Sequence, residues 1–421
     1  MSTSKPEQSK SNKSHSSIRV PMSSPDITDA ERRAVAAVLQ TPYLSMGGEI
    51  QSFEDSVREY CGSAHAIGVS SGTAGLHLCI RAAGIESGDL VITTPFSFVA
   101  STNVILFEGA IPVFVDVDPE TGNIDPVQVE KAVTDINSAD PKVASNWLPR
   151  KIHHTNQDSG NIRSTERSSR LKAILPVDVF GQPADLDPIV GLADKYNLRV
   201  IEDSCEALGA EYKGRRAGTL GDYGVYAFYP NKQITTGEGA MIVTDDDQAA
   251  HLMRSLRNQG RAPGDTWLQH TYLGYNYRLD EMSAALGSVQ MSRLDELLNK
   301  RQSVADWYAE RLAALPGVET LPVKPTTTRM SWFVYVIRLA SHIDRDLIAI
   351  KLSERGIPAR PYFLPIHLQP YLVERFGYLE GDYPVTEDLG RRGLAIPFSG
   401  VMSRAQVDII CDALDDILKG M

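Results

Sequence analysis

The chain has 421 residues, of which 42% are hydrophobic, and a formal net charge of −11 at pH 7. This length exceeds what one core usually fills, so two compact domains are expected. The acidic balance argues against a nucleic-acid binder, which needs a basic face to neutralise phosphates; an anionic small substrate would need a local basic pocket.

Residues 1–18 are rich in Ser and Lys and lack an apolar central segment, which predicts a disordered tail and not a signal sequence. Cys61, Cys79, Cys205 and Cys411 form no CxxC pair, and no histidine stands at metal-ligand spacing. Neither a disulfide framework nor a metal site is expected, and a reducing cytoplasm suits such cysteines. No apolar run approaches the length of a membrane span.

Ordered structure is expected from residue 19. In DITDAERRAVAAVLQ, Thr28 with Glu31 three positions on reads as a helix cap, with Val35, Val38 and Leu39 on one face. Short apolar runs then alternate with helical patterns: AIGVS, LVITT, IPVFVDV, KAILPVDV and LRVIEDS. Such alternation predicts a mostly parallel sheet with helices on both faces, an α/β architecture. The rhythm breaks at about 140–170, in a polar stretch read as an inserted surface loop. Its flanks and interior hold Lys142, Arg150, Lys151, Arg163, Arg167, Arg170 and Lys172 against only Asp158 and Glu166. A solvated excursion explains such a charge run more simply than a phosphate-gripping lid. A long helical pattern over 279–314 leads to a smaller C-terminal domain, in which SWFVYVIRL is a strand and Val407, Ile410, Leu414 and Ile417 mark a closing helix. The expected domains are 19–285, large and carrying the insertion, and 286–421, small and α+β.

Three segments carry chemistry. In IGVSSGTAGLHLCIRAAG an apolar strand stops at a small-residue turn, Ser70 to Thr73, and a helix follows. The unpaired amides at such a helix start favour an anion, and Gly72 removes bulk there; Ser and Thr also cap helices with no ligand at all. In LRVIEDSCEALGA two carboxylates end a strand, and because adjacent side chains point to opposite faces only one can reach a ligand above the strand end; Asp203 is the choice. In GDYGVYAFYPNKQITTGEGAMIVT, Lys232 lies between two strands, before Gly237-Glu238-Gly239. A partly desolvated amine on such a loop loses its proton readily and attacks aldehydes, although most lysines are solvated surface charges.

Together with PYLSMGGEIQSFE, TTPFSFVAS, AIPVFVDVD, VDVFGQPADL, GYNYRLDEMSAALG and PIHLQP, these segments resemble the DegT/DnrJ/EryC1/StrS sugar aminotransferases. That family lies within the aspartate-aminotransferase-like, or type I, fold of pyridoxal-phosphate enzymes. The resemblance implies pyridoxal 5'-phosphate as cofactor, Lys232 as the lysine that carries it, and Asp203 as partner of its ring nitrogen, keeping that nitrogen protonated. It implies Gly72 and Thr73 at the phosphate and Phe98 against the ring. Glu206 stands where the family often has Gln or His near the phenolic oxygen, and Ala227 where many members have Ser at the phosphate. Asn276 matches a residue that reaches the phosphate of the neighbouring subunit, which implies a homodimer with shared sites. The substrate, a keto-sugar in its nucleotide-linked form, is expected between Ser45 to Gly48, including Gly47, and the segment Tyr362 to His367. PIHLQP is equally readable as a structural turn, which leaves His367 open. Glutamate is the implied amino donor.

Other readings are weaker. GTLGDYG has the wrong spacing for a dinucleotide fingerprint. Amination of a cyclitol ketone is compatible with the same fold. A sugar dehydratase of the family would replace the lysine by histidine, and a non-catalytic sensor would not need Lys232, Asp203 and the phosphate turn together.

Overall fold

The computed structural model describes residues 20–152 and 171–421; the expected tail and the central part of the insertion, with Arg163, Arg167 and Arg170, lie outside them. Fourteen described strands follow in chain order. They are β1 (His65–Val69), β2 (Leu90–Thr93), β3 (Ile111–Phe114), β4 (Leu171–Ile174), β5 (Arg199–Asp203), β6 (Glu211–Tyr212), β7 (Arg215–Arg216), β8 (Tyr223–Ala227) and β9 (Ala240–Thr244), then β10 (Val318–Thr320), β11 (Thr327–Arg329), β12 (Tyr335–Leu339), β13 (Arg360–Pro361) and β14 (Gly393–Ile396).

Seven of them form the main sheet in the order β1-β9-β8-β5-β4-β2-β3. β9 is antiparallel to both β1 and β8, while β8, β5, β4, β2 and β3 pair in parallel, so β9 alone runs against the rest. Near-continuous Val and Ile runs suit strands covered on both faces: every residue of β2 and β9 is buried. Because six strands share a direction, the turns after β1, β5 and β8 open on one edge, where α/β folds place their ligands.

A four-stranded sheet, β10-β12-β14-β13, builds the C-terminal lobe, and in a three-stranded one, β11-β6-β7, a strand from the C-terminal part pairs antiparallel with β6. Tyr335, Ile337 and Leu339 pack with Val407, Ile410, Leu414 and Ile417 of the last helix. Val20 belongs to this second core, and Phe398 N–H donates to the Met22 carbonyl at 2.9 Å. Val20 and the Met22 carbonyl thus contact the C-terminal lobe, while the Met22 side chain packs on the main core.

The helical pattern over 279–314 is two helices, Glu281–Ser292 and Leu294–Leu312. Arg293 leaves helical geometry at φ −107°, ψ 5°. Its guanidinium lies 2.9 Å from Asp26 and 2.6 Å from Glu31, both far away in sequence. Thr28 and Glu31 form the expected capping box, but Leu39 is exposed, so the buried stripe ends at Val38. The start of the insertion is anchored. Pro141–Ser145 is a short helix, and Arg150 pairs with Asp382 through Nη1 at 2.5 Å and Nη2 at 2.6 Å.

Candidate active site

The turn after β1 leads into the helix Gly72–Ala82, whose cap is Ser71: its Oγ accepts the Ala74 N–H at 3.1 Å. The amides of Gly72 and Thr73 precede any possible intrahelical acceptor, and the first turn holds no acidic side chain to compete with an anion. Gly72 is required by packing: a Cβ there would meet Cys205 Sγ at 2.9 Å and Ala227 Cβ at 3.1 Å. Cys205 follows β5 and Ala227 ends β8, so this one position joins three strand ends.

At the end of β5 the two carboxylates separate as strand alternation demands. Glu202 accepts amides from Gly218 at 2.8 Å and from Leu220 and Gly221 at 2.6 Å each, which commits it to the β7–β8 turn. Asp203 is also buried, and its carboxylate accepts a long hydrogen bond, from Cys205 N–H at 3.3 Å. Burial raises its pKa, opposed by the nearby Lys232 charge. Asp178, after β4, is a further buried carboxyl. It accepts from Ser204 Oγ at 2.6 Å and Ala184 N–H at 2.9 Å, and burial together with the Glu202 charge pushes it up to about 8.

Lys232 lies on the connection from β8 to β9. Phe228 N–H donates to the Gly239 carbonyl at 2.9 Å and closes the base of this loop. Gly237 at φ +84° and Gly239 at φ +149° supply conformations that side chains avoid. Arg301, buried in the bridging helix, fixes the loop by donating to the carbonyls of Asn231 at 3.0 Å and Lys232 at 2.5 Å. The Lys232 side chain is 12% exposed, and its Nζ sits 3.8 Å from the Phe333 ring centroid and 3.7 Å from Glu206 Oε1. Glu206 accepts the Phe180 N–H at 2.9 Å through its other oxygen, and burial pushes it up to about 7.

The remaining expected site residues are placed unequally. Phe98, just before the helix Ala100–Phe107, is 65% exposed, an uncovered aromatic face at the edge where the β1 and β5 turns open. Tyr362 lies against Phe180 and Phe333, at ring distances of 5.9 and 6.2 Å, and the charge of Glu206 adds to burial in raising its hydroxyl. Ser45 is exposed and bridges Asp280 through the backbone. Gly47 has a structural duty. Glu281, itself buried, accepts the Gly47 and Glu49 amides at 2.7 Å each, and a Cβ on Gly47 would meet that carboxylate at 2.9 Å. Asn276 is exposed, and its sequence neighbours Tyr275 and Tyr277 stack on each other with ring centroids 4.9 Å apart.

His367 corrects an expectation. It has no exposed surface, its Nε2 is 2.9 Å from Glu387, and Tyr378 and Tyr383 enclose it. A side chain sealed in this way cannot touch a sugar, so PIHLQP is a structural turn here. Arg301, Phe333 and Asp178 went unnoticed in the sequence: each meets the site across dozens of residues, and nothing in its local pattern marks it.

The donor set fits pyridoxal phosphate. A bulk-free helix start suits a phosphate, a buried carboxyl a ring nitrogen, a half-enclosed amine an aldehyde, and an open aromatic face a ring. Among the described residues no cluster of His, Cys, Asp or Glu could hold a metal ion. Fold and site together define a pyridoxal-phosphate-dependent enzyme of the type I fold.

Comparison with known proteins makes the class specific. A family model described as the DegT/DnrJ/EryC1/StrS aminotransferase family matches residues 25–143 and 152–415, and the chain belongs to that family. It is 36% identical over 403 residues to a GDP-perosamine synthase from Caulobacter vibrioides, covering 95% of this chain and 98% of that one. It is 33% identical over 414 residues to the spore coat polysaccharide biosynthesis protein SpsC of Bacillus subtilis, covering 95% and 97%. Among solved structures it resembles Helicobacter pylori PseC, an aminotransferase of pseudoaminic acid biosynthesis, with a TM-score of 0.83 at 27% identity over 96% of this chain and 100% of that one. It also resembles S. venezuelae DesV, with a TM-score of 0.80 at 32% identity over 95% and 98%. The protein is thus a pyridoxal-phosphate-dependent aminotransferase.

Proposed function

We propose that this enzyme moves the amino group of glutamate to the ketone of a nucleotide-linked sugar, in amino-sugar or polysaccharide biosynthesis. The observation that carries the reading is Lys232, held on a closed loop beside Glu206 and within reach of the Asp203 charge, at the edge where the Gly72 turn opens. Two relatives named GDP-perosamine synthase, at 36% and 32% identity, favour a GDP-linked sugar as first candidate.

In this reading Lys232 carries the cofactor, Asp203 holds a proton on its ring nitrogen, and Gly72 and Thr73 present amides to its phosphate. Bound pyridoxal phosphate supplies an aldehyde for amine capture and a protonated ring that withdraws electrons from the donor α-carbon. Lys232 Nζ would accept the α-proton of the donor and give it back, and would serve the sugar in the same way in reverse. Phe98 covers the ring, and Tyr362, with the Ser45–Gly48 turn, faces the sugar. Phe333 and Tyr362 together exclude water around the amine. Asn276 completes the partner's site in a homodimer, and a cytoplasmic location suits the four free cysteines. The reading divides the chain into a large domain, 19–285, and a small one, 286–421, with Val20 packing on the core of the smaller.

The test is a screen of keto-sugars linked to GDP, UDP and dTDP with glutamate, following 2-oxoglutarate together with the aminated sugar. Amination of a cyclitol ketone with none of the nucleotide sugars accepted would overturn the substrate assignment. For the shared site, mixed Lys232→Ala and Asn276→Ala subunits should recover a minority of the activity that each lacks alone.

A further inference from the structure

We propose that Glu206 is the proton acceptor of Lys232, so that the two side chains share one proton as a pair and Lys232 can present a neutral amine while the site as a whole keeps its charge. This rests on the reading of Lys232 as the lysine that carries the cofactor, and adds a second acid/base group to it.

The geometry points to Glu206 among the four buried carboxyl groups near this sheet edge. Glu202 is spent on three amides, and Asp178 on Ser204 and Ala184. Asp203 follows as the candidate for the ring nitrogen. Glu206 Oε1 faces Lys232 Nζ at 3.7 Å, an ion-pair separation, and the bonds that hold Glu206 still involve its other oxygen or its backbone: Phe180 N–H donates to Oε2 at 2.9 Å, and Gln233 Nε2 donates to the Glu206 carbonyl at 2.5 Å. Gln233 is the residue after Lys232, so the acceptor and the amine are tied to each other through the backbone and share one rigid frame. The oxygen aimed at the amine is thereby left for a proton.

The surrounding charges make the exchange balanced. Lys232 and Asp203 act on Glu206 in opposite directions, the ammonium favouring the carboxylate and the Asp203 charge favouring the acid. Cys205 lies near on the large domain, its thiol pushed well up by burial. From the C-terminal lobe Tyr362 faces Glu206, with Arg360 beside it, and Phe333 closes the remaining side of the amine with a ring. Arg301 contacts the Lys232 backbone carbonyl and not its amine. Burial raises the carboxyl toward neutrality, which brings the acid within reach of physiological pH. In the transfer one N–H bond of the Lys232 ammonium breaks and one O–H bond forms on Glu206; the nitrogen regains its lone pair, and the summed charge of the pair stays zero. A Gln or His at this position could hydrogen-bond, but a Gln could not hold that proton.

The experiment uses cofactor-free protein, so it does not read turnover. Trace acetic anhydride labels neutral amines, and peptide mapping gives the Lys232 rate against an internal amine standard from pH 5 to 11. A proton-sharing pair has a neutral-amine fraction that is independent of pH between its two macroscopic pKa values. Wild type should therefore show two steps separated by a plateau, while Glu206→Gln, which preserves size and the Phe180 contact, should show one step whose rate falls tenfold per pH unit below its midpoint. A single step in wild type, merely displaced to higher pH than in Glu206→Gln, is the signature of a charge pair with no shared proton and would overturn the proposal. Borohydride reduction of the loaded enzyme tests the underlying reading independently: label on a peptide other than that of Lys232 removes the cofactor assignment, whatever the labelling profile of the cofactor-free protein.

Discussion

Replacing Gly72 by Ala isolates the packing on which the phosphate turn depends. In a helix interior the change from Gly to Ala would favour folding by about 0.8–1 kcal/mol, and less at the first position. Here the added methyl meets Cys205 Sγ at 2.9 Å and Ala227 Cβ at 3.1 Å. Neither is the far end of a flexible chain, and the helix cannot back away, because Leu76, Leu78, Cys79 and Ile80 on it are fully buried. Overpacking of this kind costs about 1–3 kcal/mol, so a net loss of about 1–2 kcal/mol is expected. Moving the helix start by a few tenths of an ångström also lengthens the bonds its amides make to a phosphate. Losing about 1.4–2.8 kcal/mol of that interaction weakens cofactor affinity ten- to hundredfold. Thermal unfolding of cofactor-free protein measures the first effect, and absorbance titration with pyridoxal phosphate the second. Gly72→Ala/Cys205→Ala should recover most of both, since the nearer obstacle is gone. Wild-type stability and affinity in the single variant would refute the reasoning.

Further outcomes follow from the same geometry. Ala227→Ser should tighten pyridoxal phosphate binding several-fold in equilibrium titration, because it puts a hydroxyl beside the phosphate turn where a methyl now stands. Asp203→Asn should lower kcat by orders of magnitude with little change in melting temperature, whereas Glu202→Gln should lower the melting temperature first, as its carboxylate receives three backbone amides. Glu31 is held down at about 2 by Thr28, Arg293 and Gln290 against the cost of its burial. Its folded pKa is below the ordinary value, so its contribution is complete above about pH 4.5 and is lost as pH falls toward about 2. The melting temperature of Glu31→Gln should therefore fall less steeply than that of wild type between about pH 5 and 3; parallel slopes would count against this role.

The strands, the Ser70–Thr73 turn, the separation of Glu202 from Asp203 and the place of Lys232 on a loop between two strands were legible because each is a local matter. A short continuous apolar run, a small-residue strand end and a Gly-flanked loop are written within a dozen neighbouring residues. Motif order across the chain extended this to family and cofactor. The tertiary structure decided what depends on partners far away in sequence. Arg293 breaks a continuous helical pattern because Asp26 and Glu31 hold its guanidinium. Gly47 is small because Glu281, 234 residues on, occupies the space of its side chain. His367 is removed from the sugar's reach by Glu387 and two tyrosines, and Arg301 reaches the Lys232 carbonyl across 69 positions. Local patterning fixes which atoms a segment can offer; only the packing of distant segments fixes which of those atoms are already spent on one another, and which remain for a ligand.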